Sequence, residues 1–392
     1  MLVLENNNIR FIFSHCQQCG FCENVCPTRA ILMHQRNDGL SDIIIEQDKC
    51  IRCQKCIKVC PSVNSELSKE YLSSLFNKKY YLGYNQDELI RRESSSGGVC
   101  KTLIIEGLES GYVDGVYSLK KCEEYPQAKS EFYTSQNIPS YFDIPNSVYH
   151  SVMMGRHFKK VGKCNRLMIV GTPCQLKVME DKYQELIKVC IFCKQQKTLN
   201  STRFLAKVMK TKVPVNLLFT VCYRGKGWPG IVNVDGAQLS WNKAAQLPFG
   251  RRLWTVPGCN ICGDPFGMEA NADITLMDPW IIRGANDLGE TLITVHTEKG
   301  LSLLQRVPNL TLMPQKYNDI EPALGLTDIR RKRELVPYFR GEACTRRIRW
   351  AGRMEQLQRK YLQTVVGGLP SLPFIFYRVM CKLPDWRNII LK

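Results

Sequence analysis

Cys16-Gln-Gln-Cys19-Gly-Phe-Cys22-Glu-Asn-Val-Cys26-Pro27 is followed, after a short gap, by Cys50-Ile-Arg-Cys53-Gln-Lys-Cys56-Ile-Lys-Val-Cys60-Pro61. The two runs share one spacing, three cysteines two residues apart and a fourth three residues later, closed by proline. A cubane 4Fe–4S cluster needs four thiolates, and a short chain supplies them as three close cysteines plus one distant one. Zinc knuckles are the competing use of paired cysteines, but zinc sites rarely take three at this spacing followed by Cys-Pro. The runs therefore mark two 4Fe–4S clusters.

The spacing resembles that of two-cluster bacterial ferredoxins, in which the fourth cysteine of each run ligates the other cluster. This assigns Cys16, Cys19, Cys22 and Cys60 to one cluster and Cys26, Cys50, Cys53 and Cys56 to the other. Ile43-Ile44-Ile45 between the runs reads as a short strand of a compact pseudo-repeat.

The 392 residues leave room for a larger body, and 44% hydrophobic with 23% charged content suits a globular chain. The 19 cysteines do not read as a secreted disulfide framework, because Met1-Leu-Val-Leu-Glu5 lacks a basic start and a long apolar core. The expected compartment is the reducing cytoplasm, where many thiols mean metal ligands and redox chemistry. No uncharged apolar run reaches bilayer-spanning length. Net charge is +18, and Arg330–Lys360 alone holds eleven Lys or Arg against three Glu. Such a field favours acidic electron carriers, phosphorylated cofactors, nucleic acid or anionic lipid, or is simply a solvated helical face.

The chain divides into a cluster module at 1–65, a polar connecting segment at 66–92, a body at 93–310 and a basic helical extension at 311–392. Within the body, a helix is expected at 100–108 and strands at 113–117, 166–170, 186–192, 215–223, 231–234, 272–277 and 291–295, with a helix at 198–211. The expected fold class is α+β: a ferredoxin-like module, then an α/β body with a mixed sheet and an antiparallel or mixed part after residue 215, then the tail. The Pro-interrupted apolar stretch Leu369–Tyr377 suits packing on the body or a partner, or peripheral contact with a membrane surface.

Beyond the module, Cys174 falls at a strand-to-helix turn, Cys193 follows a buried strand, and Cys259-x2-Cys262 lies in a Pro/Gly-rich loop. From spacing alone, Cys259 and Cys262 with two remote cysteines suit zinc as well as a cluster, and Cys190 is ambiguous. The ordered set Ser95-Ser-Gly-Gly-Val99, Val113-Asp-Gly-Val116, Gly171-Thr-Pro-Cys-Gln175, Phe192-Cys193, Arg224 to Trp228, Cys259-x2-Cys262, Ala272-Asp-Ile-Thr275 with Asp278 and Trp280, and Gly289-Glu-Thr-Leu292 with Thr297-Glu-Lys-Gly300 resembles the coenzyme F420 hydrogenase/dehydrogenase beta-subunit family. Coenzyme F420 is an 8-hydroxy-5-deazaflavin.

That resemblance implies a third 4Fe–4S cluster on Cys174, Cys193, Cys259 and Cys262, and FAD beside it. It implies flavin contacts from Ser95, Ser96, Gly97 and Gly98, in keeping with a Gly-rich turn that opens a helix N-terminus toward a pyrophosphate. Lys194, Lys226 and Trp228 are further candidates for charging or shaping the flavin pocket, and surface charge or core packing is their ordinary alternative. The chain departs from the family at Cys193-Lys194, where Cys-His is common, and at Met277-Asp278-Pro279-Trp280, where Gly-Asp precedes the tryptophan.

The expected activity is a flavin- and iron–sulfur-dependent oxidoreductase, resembling reduced coenzyme F420 dehydrogenase subunits. Its partners are a redox protein or ferredoxin-type carrier and a deazaflavin or organic donor or acceptor. The alternative with the same cofactors is ferredoxin-dependent reduction of an organic substrate, with a link to polysaccharide biosynthesis. No G-x-G-x-x-G follows a strand, and no nucleic-acid-binding motif is present, so neither a Rossmann NAD site nor nucleic acid is expected. With five His (15, 34, 150, 157 and 296), general-base candidates are few and no catalytic residue is assigned; His15 beside Cys16 suits shielding a cluster.

Overall fold

The computed structural model describes residues 14–64, 67–178, 185–245, 247–282, 287–368 and 373–392. The start of the module and part of the Leu369–Tyr377 stretch thus lie outside the described residues. The module is a pair of short helices, Phe21–Val25 and Lys55–Lys58, around an antiparallel hairpin of β1 (Ile31–Gln35) and β2 (Ser41–Ile45). Its pseudo-repeat extends to the backbone. Gln18 and Arg52, each two residues past the first cysteine of its run, are left-handed at φ 58° and 53°. Gly20 and Gln54, each two residues further on, repeat the twist at 80° and 61°.

The body is built on an eight-stranded mixed sheet. Its strands are β3 (Lys79–Asn85), β4 (Gly115–Lys121), β5 (Ala128–Thr134), β6 (Arg166–Gly171), β7 (Glu185–Ile191), β11 (Ile274–Met277), β12 (Thr291–Val295) and β13 (Leu310–Gln315), in the order β13-β3-β12-β11-β7-β6-β4-β5. The centre β11-β7-β6-β4 is parallel, and antiparallel strands flank it on both sides. A separate three-stranded sheet joins β8 (Val221–Cys222), β9 (Ile231–Val234) and β10 (Ala237–Ser240). The helices Val99–Glu109 and Glu298–Arg306 cover the large sheet through Leu103, Ile104, Leu303 and Leu304. The α+β class therefore stands, with the helical C-terminal region in place: Leu326–Arg340, Arg346–Gly368, Phe374–Cys381 and Trp386–Ile390.

Three expectations are corrected. Residues 66–92 are not only a connector, because β3 is an interior strand between β13 and β12. Its alternation is carried by aromatics, with Tyr80 and Leu82 buried on one face, a signal masked by the surrounding polar residues. The body sheet runs past residue 310, since β13 ends at Gln315. Of 215–223 only Val221–Cys222 forms a strand, with Leu218 in an isolated bridge to Glu124, because Val215 is fully exposed and Leu217 turns left-handed at φ 58° just after Pro214. The expected antiparallel part after residue 215 is present in β8, β9 and β10, and antiparallel pairing also occurs before it, between β4 and β5.

Two glycines let the module press onto the body. A Cβ on Gly155 would lie 2.4 Å from the Phe21 nitrogen, and one on Gly258 would lie 2.5 Å from the Cys16 carbonyl. The contact is fixed by Gly155 N donating to the Cys19 carbonyl (2.8 Å), Asn24 Nδ2 to the Gly155 carbonyl (2.7 Å), and Gly258 N to the Cys16 carbonyl (3.2 Å).

His150 is wholly buried between Tyr125, Thr202 and Tyr223, and burial pulls its pKa down to about 4. Above the ordinary histidine pKa the ring is neutral in both folded and unfolded chains. As pH falls toward about 4, the unfolded chain takes up a proton that the folded one refuses. Stability is therefore lost on acidification across that window, by about 3 kcal/mol at its lower end. Melting temperatures from pH 7 to 4.5 should fall more steeply for the native chain than for His150→Phe; equal slopes would remove this residue from the acid response.

Candidate metal centres and an adjoining chamber

The cysteines of the module sort into two groups by position. Cys16, Cys19, Cys22 and Cys60 line one small cavity with Phe21, Met33 and Ile43. Cys26, Cys50, Cys53 and Cys56 line the other with Ile31, Ile45 and Ile51. The fourth cysteine of each run thus sits with the other run's three. Backbone N–H groups reach the sulfurs, Gln18 N to Cys16 Sγ and Ala30 N to Cys26 Sγ, both at 3.3 Å. Hydrogen bonds of this kind are one way a protein sets cluster potential. Burial pushes the Cys16 thiol up to about 12, and Cys19 and Cys22 are also raised, by burial and by neighbouring thiols. Sulfurs so desolvated are poor anions alone, and a bound cation reverses that preference.

A third group forms at the body's sheet. β6 and β7 are parallel neighbours, with Gly171 opposite Cys190, so the turns that leave them emerge at one edge. Carboxyl ends of parallel strands are where such sheets hold ligands. The turn after β6 is a capped helix start in which Thr172 and Gln175 bond reciprocally, and it carries Cys174. After β7, Cys193 N donates to the Pro265 carbonyl (3.1 Å), tying that turn to the loop after Cys262. Cys259 sits in the short turn Pro257–Asn260, and its Sγ accepts from Gln196 N at 3.2 Å.

Burial is the largest influence raising Cys174, Cys193 and Cys259, with Cys193 reaching about 12. After burial, mutual repulsion raises them: Cys262 and Cys193 act on Cys174, Cys259 and Cys262 on Cys193, and Cys262 on Cys259. The Lys332 ammonium opposes this at Cys193 and Cys259. Among the described residues, no group of three or more His, Cys, Asp or Glu is arranged to hold a single metal ion. Cys190 is fully buried on β7, where a Cβ on Gly267 would lie 2.7 Å from its sulfur.

The three groups succeed one another. Cys22 is close enough to Cys56 for repulsion between the two module groups, and Cys174 is close enough to Cys19 for repulsion between module and body. Beyond the third group opens a cavity of about 500 Å³, with Cys259 in its wall. Trp241, Phe249, Trp280 and Phe339 give it aromatic surface, and Lys194, Arg252, Lys332, Arg359 and Arg387 share its lining with Asp328, Glu355 and Asp385. Arg252 Nε lies 3.1 Å from Glu355, Lys194 Nζ 3.3 Å from Asp328, and Arg387 also pairs with Asp328.

The expected flavin contacts are not all at this chamber. Lys194 lines it. Ser95–Gly98 stands behind it: Arg224 donates to the Ser95 carbonyl (2.9 Å), pairs with Asp278 (2.6 Å), and lies over the rings of Trp228, Trp241 and Trp280. Gly97 is required by packing, since its Cβ would lie 2.9 Å from the Gly83 carbonyl and 3.0 Å from Glu290 Cα. Lys226 is exposed, on a loop left-handed at φ 59°. His15 reaches the Phe339 carbonyl through Nε2 (2.8 Å), a link between module and tail. Sequence reading missed Arg224 as an organiser and Arg252, Glu355 and Arg359 as chamber walls. The Arg224–Trp228 stretch with Asp278 and Trp280 was the available signal for the first; nothing local marks the others.

Comparison with known proteins places these features. Residues 15–64 match a 4Fe-4S dicluster domain, and a second dicluster model matches 42–100. Residues 80–153 match the N-terminal and 164–312 the C-terminal model of the coenzyme F420 hydrogenase/dehydrogenase beta subunit. A ferredoxin-like protein in the nif region of Sinorhizobium fredii is 36% identical over 58 residues, covering 13% of this chain and 83% of that protein. A chain from the xenon-derivatised F420-reducing NiFe hydrogenase complex of Methanosarcina barkeri aligns at TM-score 0.48 and 17% identity, covering 66% of this chain and 90% of that one. The chain belongs to the coenzyme F420 hydrogenase/dehydrogenase beta-subunit family and is an iron–sulfur oxidoreductase relative that carries a 4Fe-4S dicluster module at its N-terminal side.

Proposed function

We propose that the protein is an iron–sulfur flavoprotein that moves electrons between a molecule bound at the chamber and an external carrier at the module. The observation that carries this reading is the succession of cysteine groups, from Cys26/50/53/56 through Cys16/19/22/60 to Cys174/193/259/262 and the chamber wall at Cys259. The donor set suits clusters: buried thiols, backbone N–H groups on Cys16, Cys26 and Cys259, and lysine charge from Lys332.

The chamber suits FAD in size and in its mixture of aromatic faces and cations. Trp280 and Phe339 would give the bound ring apolar walls, Lys194 and Lys332 would meet negative charge, and Arg224 would hold Trp241 and Trp280 in place from behind. When bound, a flavin exchanges electrons singly or in pairs and a 4Fe–4S cluster singly, which joins hydride chemistry to a one-electron route. The chain's own contribution is to exclude water from the thiols, to hold the module against the body through Gly155 and Gly258, and to offset thiolate charge.

A second reading rests on the tail. Asp328, Lys332, Glu355, Arg359, Asp385 and Arg387 line the chamber yet lie beyond the residues matched by the family models. A chamber half-built from such residues favours an organic acceptor fed by ferredoxin over the deazaflavin itself. Anaerobic titration separates the two: bleaching of cluster absorbance by reduced coenzyme F420 supports the dehydrogenase, and bleaching by reduced ferredoxin alone supports the reductase. Bleaching by neither contradicts both.

A further inference from the structure

We propose that the outer face of the last three helices is a docking surface for an anionic lipid bilayer. Among the described residues, nine of the eighteen exposed large hydrophobic side chains lie within the final 43 residues. They are not scattered. On the helix Arg346–Gly368, Trp350, Leu357 and Tyr361 recur at helical spacing on the outer side, at 56%, 61% and 65% exposure. Ile375 and Val379 do the same on Phe374–Cys381, and Trp386 on Trp386–Ile390.

The inner faces are already occupied. Leu362, Val366, Tyr377 and Met380 join the body core with Phe204 and Trp254. Gln358 accepts from Trp386 N (3.4 Å) and donates to the Pro384 carbonyl (2.5 Å), which sets Trp386 beside the Leu357–Tyr361 turn. The apolar outer residues therefore have no place left within the fold's own core.

Charge selects the occupant. Arg346–Lys392 holds ten Lys or Arg and two acids, Glu355 and Asp385. Both acids turn inward to the Arg252 cluster, with side chains 3% and 14% exposed. Arg346, Arg353, Lys360, Arg378 and Lys382 remain exposed among the apolar residues. Tryptophan and tyrosine mixed with aliphatic and cationic side chains is the composition of helices that lie in a membrane interface, where apolar burial and attraction to anionic headgroups add. No helix among the described residues is long and apolar enough to cross a bilayer, and the short outer faces suit lying on one.

The test is vesicle flotation of the intact, cluster-loaded protein. The native chain should float with phosphatidylcholine/phosphatidylglycerol vesicles, stay behind with pure phosphatidylcholine, and detach as salt rises. The combined Trp350→Ser, Leu357→Ser and Tyr361→Ser variant should lose partitioning by about a hundredfold. Because these side chains are exposed, its visible cluster spectrum should match the native one, which keeps the result separate from the redox reading. Failure of the native chain to float with the anionic vesicles at low salt overturns the proposal, as does equal flotation of the triple variant. Self-association that disappears in the triple variant, without vesicle binding, would instead assign the face to a second copy.

Discussion

Replacing Cys259 with alanine should remove about four irons per chain, leaving about eight in the module. The residue stands where the third cysteine group meets the chamber, and its sulfur accepts from Gln196 N. Its loss should abolish reduction of the module by electrons entering at the chamber, while dithionite still bleaches the module directly. Cys190→Ala is the matched control: Cys190 is buried on β7 against Gly267, is close enough to Cys193 and Cys262 to feel their charge, and stands outside the proposed quartet. It should cost stability, about 1–2 kcal/mol for a small cavity, and leave the iron content unchanged. Equal iron loss in both variants would mean that the quartet is drawn from the wrong sulfurs.

The second large effect concerns the joint between module and body. Gly155→Ala puts a methyl group 2.4 Å from the Phe21 backbone nitrogen, and backbone cannot step aside as a side-chain tip can. Gly155 itself is not in the left-handed region, so the cost is contact and not conformation. Overpacking of this kind costs about 1–3 kcal/mol, enough to lower the docking equilibrium constant by roughly tenfold or more. All three cysteine groups should remain loaded. Transfer between chamber and module should slow in stopped-flow absorbance, because Cys19 and Cys174 face each other only across this joint. An unchanged rate would show that the module's position does not limit transfer.

Legibility in the sequence followed how locally each feature is encoded. The module was readable because its eight cysteines repeat one spacing within about fifty residues, and even the left-handed positions Gln18 and Arg52 fall at equivalent places. Cys174 and Cys193 were readable as strand-end cysteines, since β6 and β7 carry plain apolar runs. β3 was not, because Lys78-Lys79 and Asn85-Gln86 surround a strand whose burial comes from tyrosines. Of the chamber, only Lys194 was named from the sequence as a pocket residue. Lys194, Arg252, Asp328, Glu355 and Asp385 have no shared spacing and meet only once the tail folds back over the body. The Ser95–Gly98 loop was legible as a helix entry, but the need for glycine at 97 comes from the Gly83 and Glu290 backbones, which no local pattern announces.

The proposed electron route runs through three cluster sites and ends at a flavin. The measurement that meets it most directly is the iron, acid-labile sulfide and flavin content of anaerobically purified protein. About twelve irons, as many sulfides and one FAD per chain are the predicted result. About eight irons with no flavin would leave the module standing and contradict the rest.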